Sequence, residues 1–293
     1  MKINVLKKII LGFFCTFSVL IPLFTFEWPQ EDVSAEKFSS FFGQKRQSTI
    51  SNSLIFSESE TAKATDRGIV SAIITEHEDG FNWFESTLGT AVIISHPDSL
   101  MTVYGNLDTD ELNPQLFKTR TVAEGTELST TGNSAWQETE SFLEFQIIDT
   151  KNKTYVNPLI LMPRIGKEEN LTITGISLQN KFGKFYELDT QKNIPAGFYK
   201  VFRKRQSKAV PYKTSVLVNG AESERLTFDT IKLEENELAI QGQLLYRASE
   251  LYPDDELMLM GEIYLPHGKD TISLIVTDFS GNERSRVYNL TVF

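Results

Sequence analysis

The sequence predicts an all-β protein of about two domains. It contains many short runs of β-branched and aromatic residues, turn signals separate these runs, and long helical periodicity is absent. Hydrophobic residues make up 40% of the 293 residues and charged residues 23%, so the chain can bury a core and lacks the composition of a disordered protein. The length supports two domains at roughly 150 residues each.

The first segment has the pattern of an export signal. Lysines precede the apolar run 9–26, which is the arrangement of a secretory signal peptide. Val33 and Ala35 put small residues where a signal peptidase requires them, and the run is also nearly long enough to span a bilayer. We therefore expect residues 1–35 to be a signal peptide or a membrane anchor, and the rest of the chain to be periplasmic or otherwise extracytoplasmic.

Strand signals follow one another through the first half of the chain. The runs 91–94 and 100–107 flank a turn at 96–99, which predicts a hairpin. Further along, polar and apolar residues alternate over a predicted strand, with Phe142 and Glu144 on the same face.

The second half of the chain also contains short strand signals separated by turns. Asn219-Gly220 follows an apolar run and is a strong hairpin signal, and residues 287–293 predict a final strand. Proline, glycine and charged residues interrupt the β pattern at 163–170. We therefore predict two domains after the export segment, residues 36–164 and residues 165–293.

Composition excludes several partners and cofactors. The chain has 39 acidic and 29 basic residues, for a net charge of −10, whereas nucleic-acid binding needs surplus positive charge. The lone cysteine, Cys15, excludes an internal disulfide framework and a thiolate metal cluster. With histidine only at positions 77, 96 and 267, few ligands are left for a zinc centre.

Seven motifs in a fixed order resemble the lysostaphin/LytM-type zinc metallopeptidases, which cut peptide cross-links in bacterial cell walls. The motifs are Phe42-Gly43 with Arg46, Gly68-Ile69-Val70, the hairpin 89–107, Gly125 to Leu128, Thr131 to Ser134, Phe142 to Phe145, and Val156 to Leu159. The resemblance implies an antiparallel β-sheet core for residues 36–164. It also implies a zinc site built from a His-x-x-x-Asp motif and the second histidine of a His-x-His motif.

The first of these zinc motifs is missing. The best alignment places Ser51 at the histidine and Ile55 at the aspartate, and a shift by one residue places Asn52 and Phe56 there. Neither alignment gives a His–Asp pair. Isoleucine and phenylalanine have no lone pair to donate, and a serine hydroxyl is a poor zinc ligand.

The second zinc motif is also altered. Phe142 and Glu144 replace its two histidines, and Asn106 replaces a further family histidine, so Glu144 alone could bind a metal. Without zinc, the attacking water keeps a pKa near ~15.7 instead of ~7, a difference on the order of 12 kcal/mol. We therefore expect no cofactor and no catalysis, and a degenerate groove lined by Asn52, Asn106, Phe142 and Glu144.

Other candidate residues carry weaker signals. The basic run Arg203-Lys204-Arg205 favours a solvated strand face over a site for an anionic partner. His77 stands among acidic residues and favours a solvated loop over a metal site. The aromatic residues Trp83, Phe84 and Trp136 fit sugar stacking and core packing equally well.

The sequence thus predicts a non-catalytic envelope protein that binds peptidoglycan or regulates a cell-wall hydrolase. Relatives with lost zinc ligands activate wall amidases, and the resemblance implies that option. Residues 165–293 resemble, more loosely, an immunoglobulin-like β-sandwich, on 195–199 and 268–282. One alternative is an active zinc endopeptidase that cuts peptidoglycan cross-links with displaced ligands, Glu144 with His77 or His96. Another is a structural or adhesive surface protein.

Overall fold

The computed structural model describes residues 26–76, 86–135 and 142–293. Strands make up 49% of the structure and helices 7%, which confirms the all-β prediction. Most of the predicted export segment and the side chains of His77, Trp83, Phe84 and Trp136 lie outside these residues. In the described ranges, no helix combines the length and apolar character needed to cross a membrane.

The first half of the chain forms short strands with a few tight helical turns. Its strands are β1 (Phe38–Ser40), β2 (Lys45–Arg46), β3 (Thr49–Ile50), β4 (Leu54–Phe56), β5 (Thr61–Lys63), β6 (Gly68–Ile74), β7 (Thr90–Ser95), β8 (Leu100–Leu107), β9 (Thr121–Val122), β10 (Glu127–Thr130), β11 (Glu144–Asp149) and β12 (Thr154–Val156). Its helical turns are Ala35–Lys37, Pro97–Ser99, Pro114–Phe117 and α1 (Pro158–Leu161).

The second half contains longer strands. They are β13 (Ser177–Asn180), β14 (Phe185–Glu187), β15 (Asn193–Ile194), β16 (Gly197–Lys204), β17 (Lys213–Val218), β18 (Ala221–Glu234), β19 (Glu237–Gln241), β20 (Leu245–Arg247), β21 (Leu257–Leu265), β22 (Gly268–Thr277) and β23 (Glu283–Val292). The helix α2 (Ala248–Leu251) lies between β20 and β21.

One large sheet runs through both halves. Its main path has the strand order β15-β23-β22-β17-β18-β12-β11-β8-β7-β6-β9. The halves join where β12 pairs with β18, with Tyr155 opposite Ile231. A second sheet, β14-β13-β16-β21, belongs to the second half alone.

Two hydrophobic cores lie on this framework. The first core contains side chains of the first half together with Phe228, Ile231 and Tyr246, so β18 and β20 complete it from the second half. The second core joins residues of the four-stranded sheet, such as Val201, to residues of the large sheet, such as Leu274. Because the first core takes side chains from both sides of residue 164, the predicted domain boundary stays a prediction, as does the immunoglobulin-like assignment.

Arg203 is buried inside this framework, so its predicted place on a solvated face is wrong. It lies two residues after Val201 and therefore on the same inward face of β16, where none of its surface is exposed. Its Nη1 donates to the carbonyl of Thr172 at 2.9 Å and to Oε1 of Gln206 at 3.4 Å. Burial lowers the pKa of Arg203 to about 10.

His96 is a second buried polar residue of the framework. Its Nδ1 donates to the carbonyl of Arg67 at 2.9 Å, so Nε2 accepts from the hydroxyl of Thr102 at 2.7 Å. Its ring packs 5.0 Å from the ring of Phe26. Burial lowers the pKa of His96 below its ordinary value, because the charged imidazolium would lose its hydration.

We expect Arg203→Ala to lower the free energy of unfolding by roughly 1–3 kcal/mol, because it removes a fully buried side chain together with its hydrogen bond to the carbonyl of Thr172. Lys204→Ala, at the adjacent exposed position, should stay within about 0.5 kcal/mol of the wild type. Urea denaturation of the full chain measures both. If the two substitutions changed the free energy of unfolding equally, the buried side chain of Arg203 and its hydrogen bond to Thr172 would not stabilise the fold.

We expect His96 to destabilise the fold as the pH falls below about 6.5. In that range the unfolded chain protonates this histidine and the folded chain does not, so the free energy of unfolding falls by up to about 1.4 kcal/mol per pH unit. His96→Gln should therefore show a smaller loss of stability between pH 7.5 and pH 5 than the wild type. The control is His267→Gln at an exposed position; an unchanged pH profile in His96→Gln would contradict this account.

Candidate functional site

A cleft of about 400 Å³ lies beside β11. It is lined by Arg46, Gln47, Thr49, Ile50, Asn52, Thr87, Leu88, Glu144, Gln146, Tyr155 and Leu238. Most of these residues belong to the first half, but Leu238 lies on β19. Both halves of the chain therefore contribute walls to this cleft.

Glu144 lies at the base of the cleft with 2% of its surface exposed. Arg46 binds its carboxylate with two prongs, Nη1 to Oε1 at 2.7 Å and Nη2 to Oε2 at 3.1 Å. The hydroxyl of Ser53 donates to Oε1 at 3.0 Å, and the amide of Gln146 donates to the same atom at 3.4 Å. The buried carboxylate is thus both neutralised and hydrogen-bonded, as a buried charge requires.

A hairpin brings Arg46 to this carboxylate. It consists of β2 and β3, with Gln47 at the turn in the left-handed region at φ 54°. Just before it, the hydroxyl of Tyr252 donates to the carbonyl of Gly43 at 2.5 Å. Lys45 forms an ion pair with Asp255 at 2.5 Å. Residues of the second half therefore hold the hairpin that positions Arg46.

The pairing of β4 with β11 bears on the two alignments of the first zinc motif. Ile55 lies directly opposite Glu144, and opposite residues of an antiparallel pair point to the same face. The side chains of Ser51 and Ser53 lie 3.4 Å apart at their hydroxyls, and Ser53 reaches Glu144. Phe56 instead packs in the core. The pairing is compatible with the alignment that places Ser51, Ile55 and Glu144 at the family's ligand positions, and that alignment stays a prediction.

The residues at these positions do not fit zinc. Ser51 is buried, and its hydroxyl bonds to the carbonyl of Ser53 at 3.1 Å, while Ile55 is apolar. Glu144 is the one strong donor, and the guanidinium of Arg46 holds both of its oxygens. Over the described ranges, no cluster of three histidine, cysteine, aspartate or glutamate residues could hold a metal ion.

The structure separates the four predicted groove residues into two pairs. Asn52 and Glu144 line the cleft together. Asn106 does not line it and is 1% exposed. Its amide donates to the carbonyl of Phe142 at 2.8 Å, and its Oδ1 accepts from the backbone N–H of Ala135 at 2.9 Å. Asn106 and Phe142 thus meet in a hydrogen-bonded support beside the cleft, and their predicted part in binding stays a prediction.

Of the eleven residues that line the cleft, the sequence analysis predicts two, Asn52 and Glu144, and misses the other nine. Among those nine, Arg46 lies in one of the sequence motifs, and its charge opposite to that of Glu144 is a signal that the two could pair. Tyr155 and Leu238 carried no local signal, because they reach the cleft only through the pairing of β12, β18 and β19.

A known peptidase family matches the part of the chain that contains Glu144 of the cleft. A model of peptidase family M23 matches residues 53–158, which include β4 and β11. A separate family model, which carries no functional description, matches residues 170–293. An uncharacterized protein of Treponema pallidum (strain Nichols) is 32% identical over 126 residues, which cover 40% of this chain and 82% of that protein.

Several solved structures show weaker likenesses. A zinc-containing peptidase from Vibrio cholerae is 20% identical, with 42% of this chain and 36% of that chain covered and a TM-score of 0.32. A mutant catalytic domain of the prophage-encoded M23 protein EnpA from Enterococcus faecalis is 18% identical, with 41% and 87% covered and a TM-score of 0.33. A chain of the SpoIIQ–SpoIIIAH pore-forming complex is 18% identical, with 48% and 93% covered and a TM-score of 0.37.

These TM-scores are too low to add to the family assignment, and the chain spans only about a third of the Vibrio peptidase. The assignment depends instead on the family model and on the Treponema relative. Through the domain that contains residues 53–158, this chain belongs to peptidase family M23.

Proposed function

We propose that this chain is a non-catalytic envelope protein that binds peptidoglycan through the cleft. Its M23 domain indicates a function related to the bacterial cell wall. The observation that carries the proposal is the ion pair between Arg46 and Glu144, since it engages the carboxylate at a ligand position. Glu144 is also the only acidic residue among the described residues of the cleft, so no second carboxylate is present there to activate a water.

The lining of the cleft suits a peptide. Asn52, Thr49 and Gln146 offer amide and hydroxyl groups that can pair with peptide N–H and C=O groups. Leu88 and Leu238 supply apolar contact. The volume of about 400 Å³ lies in the range of small-ligand sites. A wall peptide therefore fits the cleft, and a hydrolase is the second candidate partner.

The proposal places residues 36–293 outside the cytoplasm, where peptidoglycan lies. This location agrees with the export-type pattern of residues 1–35. Membrane anchorage through that segment would keep the cleft near the wall, and cleavage would release the chain into the same space.

We expect the purified full chain to contain substoichiometric zinc and to leave purified cell walls intact. The ion pair with Arg46 engages the carboxylate that a metal would need, and Glu144→Gln should change neither result. Elemental analysis and a turbidity assay on walls measure both quantities. Stoichiometric zinc that is lost in Glu144→Gln would support the active-peptidase alternative and overturn the proposal.

We expect Asn52→Leu to weaken binding to purified sacculi by roughly tenfold, because it removes about one net hydrogen bond to a peptide. The matched control is Asn193→Leu, an exposed asparagine on β15 that lies outside the cleft. Co-sedimentation of the full chain with sacculi gives the affinities. Equal binding by both variants would show that the cleft does not hold the wall ligand.

A further inference from the structure

The four-stranded sheet has an outer face that is covered at one end and open at the other. At the covered end, Phe202 and Leu259 are buried in the first core. At the open end, Phe198 and Tyr264 are opposite each other on β16 and β21. They are 70% and 52% exposed, and their ring centroids lie 4.9 Å apart. Two large aromatic rings thus form one solvent-facing surface.

Polar side chains adjoin these rings in the same register. Lys200 lies two residues after Phe198 on β16, and it is opposite Gln179 on one side and Glu262 on the other. The ammonium of Lys200 is 3.4 Å from the carboxylate of Glu262, so their charges cancel. This face therefore combines hydrogen-bond donors and acceptors, and Lys181 adds one further positive charge to the lining of the adjacent hollow.

The hairpin between β13 and β14 closes one side of this surface. Oδ1 of Asn180 accepts from the backbone N–H groups of Phe182 and Lys184, each at 3.0 Å, which fixes the turn. Phe182 is 83% exposed beside it. The hollow between the hairpin and the ring of Phe198 has a volume of about 340 Å³.

We propose that this surface binds a sugar chain. The apolar C–H faces of sugar rings pack on exposed aromatic rings, and their hydroxyl and acetamido groups need both donors and acceptors. The lining of the hollow carries two lysines, Lys181 and Lys200, against one acid, Glu262. The exposed rings therefore favour a sugar chain, and vesicles of anionic lipid are the control for attraction by charge alone. The hollow is the size of a small-ligand site.

The natural ligand would be the glycan strand of peptidoglycan, and this identity rests on the proposed function. The binding chemistry itself does not, because it can be tested with a soluble chain of N-acetylglucosamine. The cleft and the sugar surface share no lining residue, so the two proposals can fail separately.

The test is titration of the full chain with N-acetylglucosamine tetramer, followed by calorimetry or saturation-transfer NMR. We expect the wild type to bind, and Phe198→Ala and Tyr264→Ala each to weaken binding by about tenfold through lost ring contact. Leu244→Ala removes an equally exposed apolar side chain elsewhere and should bind as the wild type does. Asn52→Leu should also retain tetramer binding.

No binding by the wild type, or equal binding by Phe198→Ala and Leu244→Ala, would overturn the sugar site. A dimer in sedimentation velocity that Phe198→Ala dissociates would also overturn it, because a second copy would then cover the face. Tetramer binding that persists while Asn52→Leu leaves sacculus binding unchanged would refute the cleft proposal and keep this one.

Discussion

The charge pair between Arg46 and Glu144 determines what the cleft can do. A carboxylate that is 2% exposed requires a cation or several hydrogen bonds, since burial of an unpaired charge is costly. In this chain the cation is a guanidinium that binds both oxygens. A metal ion at the same carboxylate would have to displace that guanidinium and would still find Ser51 and Ile55 in place of its other ligands. The buried negative charge of Glu144 is therefore already compensated by Arg46.

This pair in turn depends on the second half of the chain. Gly43 precedes the hairpin of Arg46 and has φ +83°, and a side chain there would approach within 2.8 Å of Phe228. Burial raises the pKa of Tyr252, which keeps its hydroxyl protonated and able to donate to the carbonyl of Gly43. The continuous sheet from β11 through β12 to β18 makes the same connection on the other side of the cleft. The second half thus supports the cleft structurally.

The sequence predicted those features of the fold that depend on local alternation. The hairpin of β7 and β8, the strand that carries Glu144, and the final strand follow from side chains that alternate between a buried and an exposed face. The same rule would have placed Arg203 beside Val201 on the buried face, but the charge of the basic run outweighed the alternation. The prediction that Glu144 lies at a former ligand position depends on the order of the motifs. Its partner Arg46 is 98 residues away, and only the tertiary fold brings the two together.

The two proposed sites, the cleft and the sugar surface, have a consequence for a polymeric ligand. A cell wall repeats both its peptides and its sugars, so a chain held by one site meets the second ligand at a high effective concentration. Each site, with a volume of about 400 or 340 Å³, can then bind weakly by itself while the combined attachment is tight. Such binding is strongest when the spacing between the sites matches the spacing of their ligands. The cleft lies beside the large sheet and the sugar surface lies on the four-stranded sheet. The first core contains Phe202 and Leu259 of the four-stranded sheet and so holds the two surfaces at one spacing, which gives a physical reason for the two halves to be packed together.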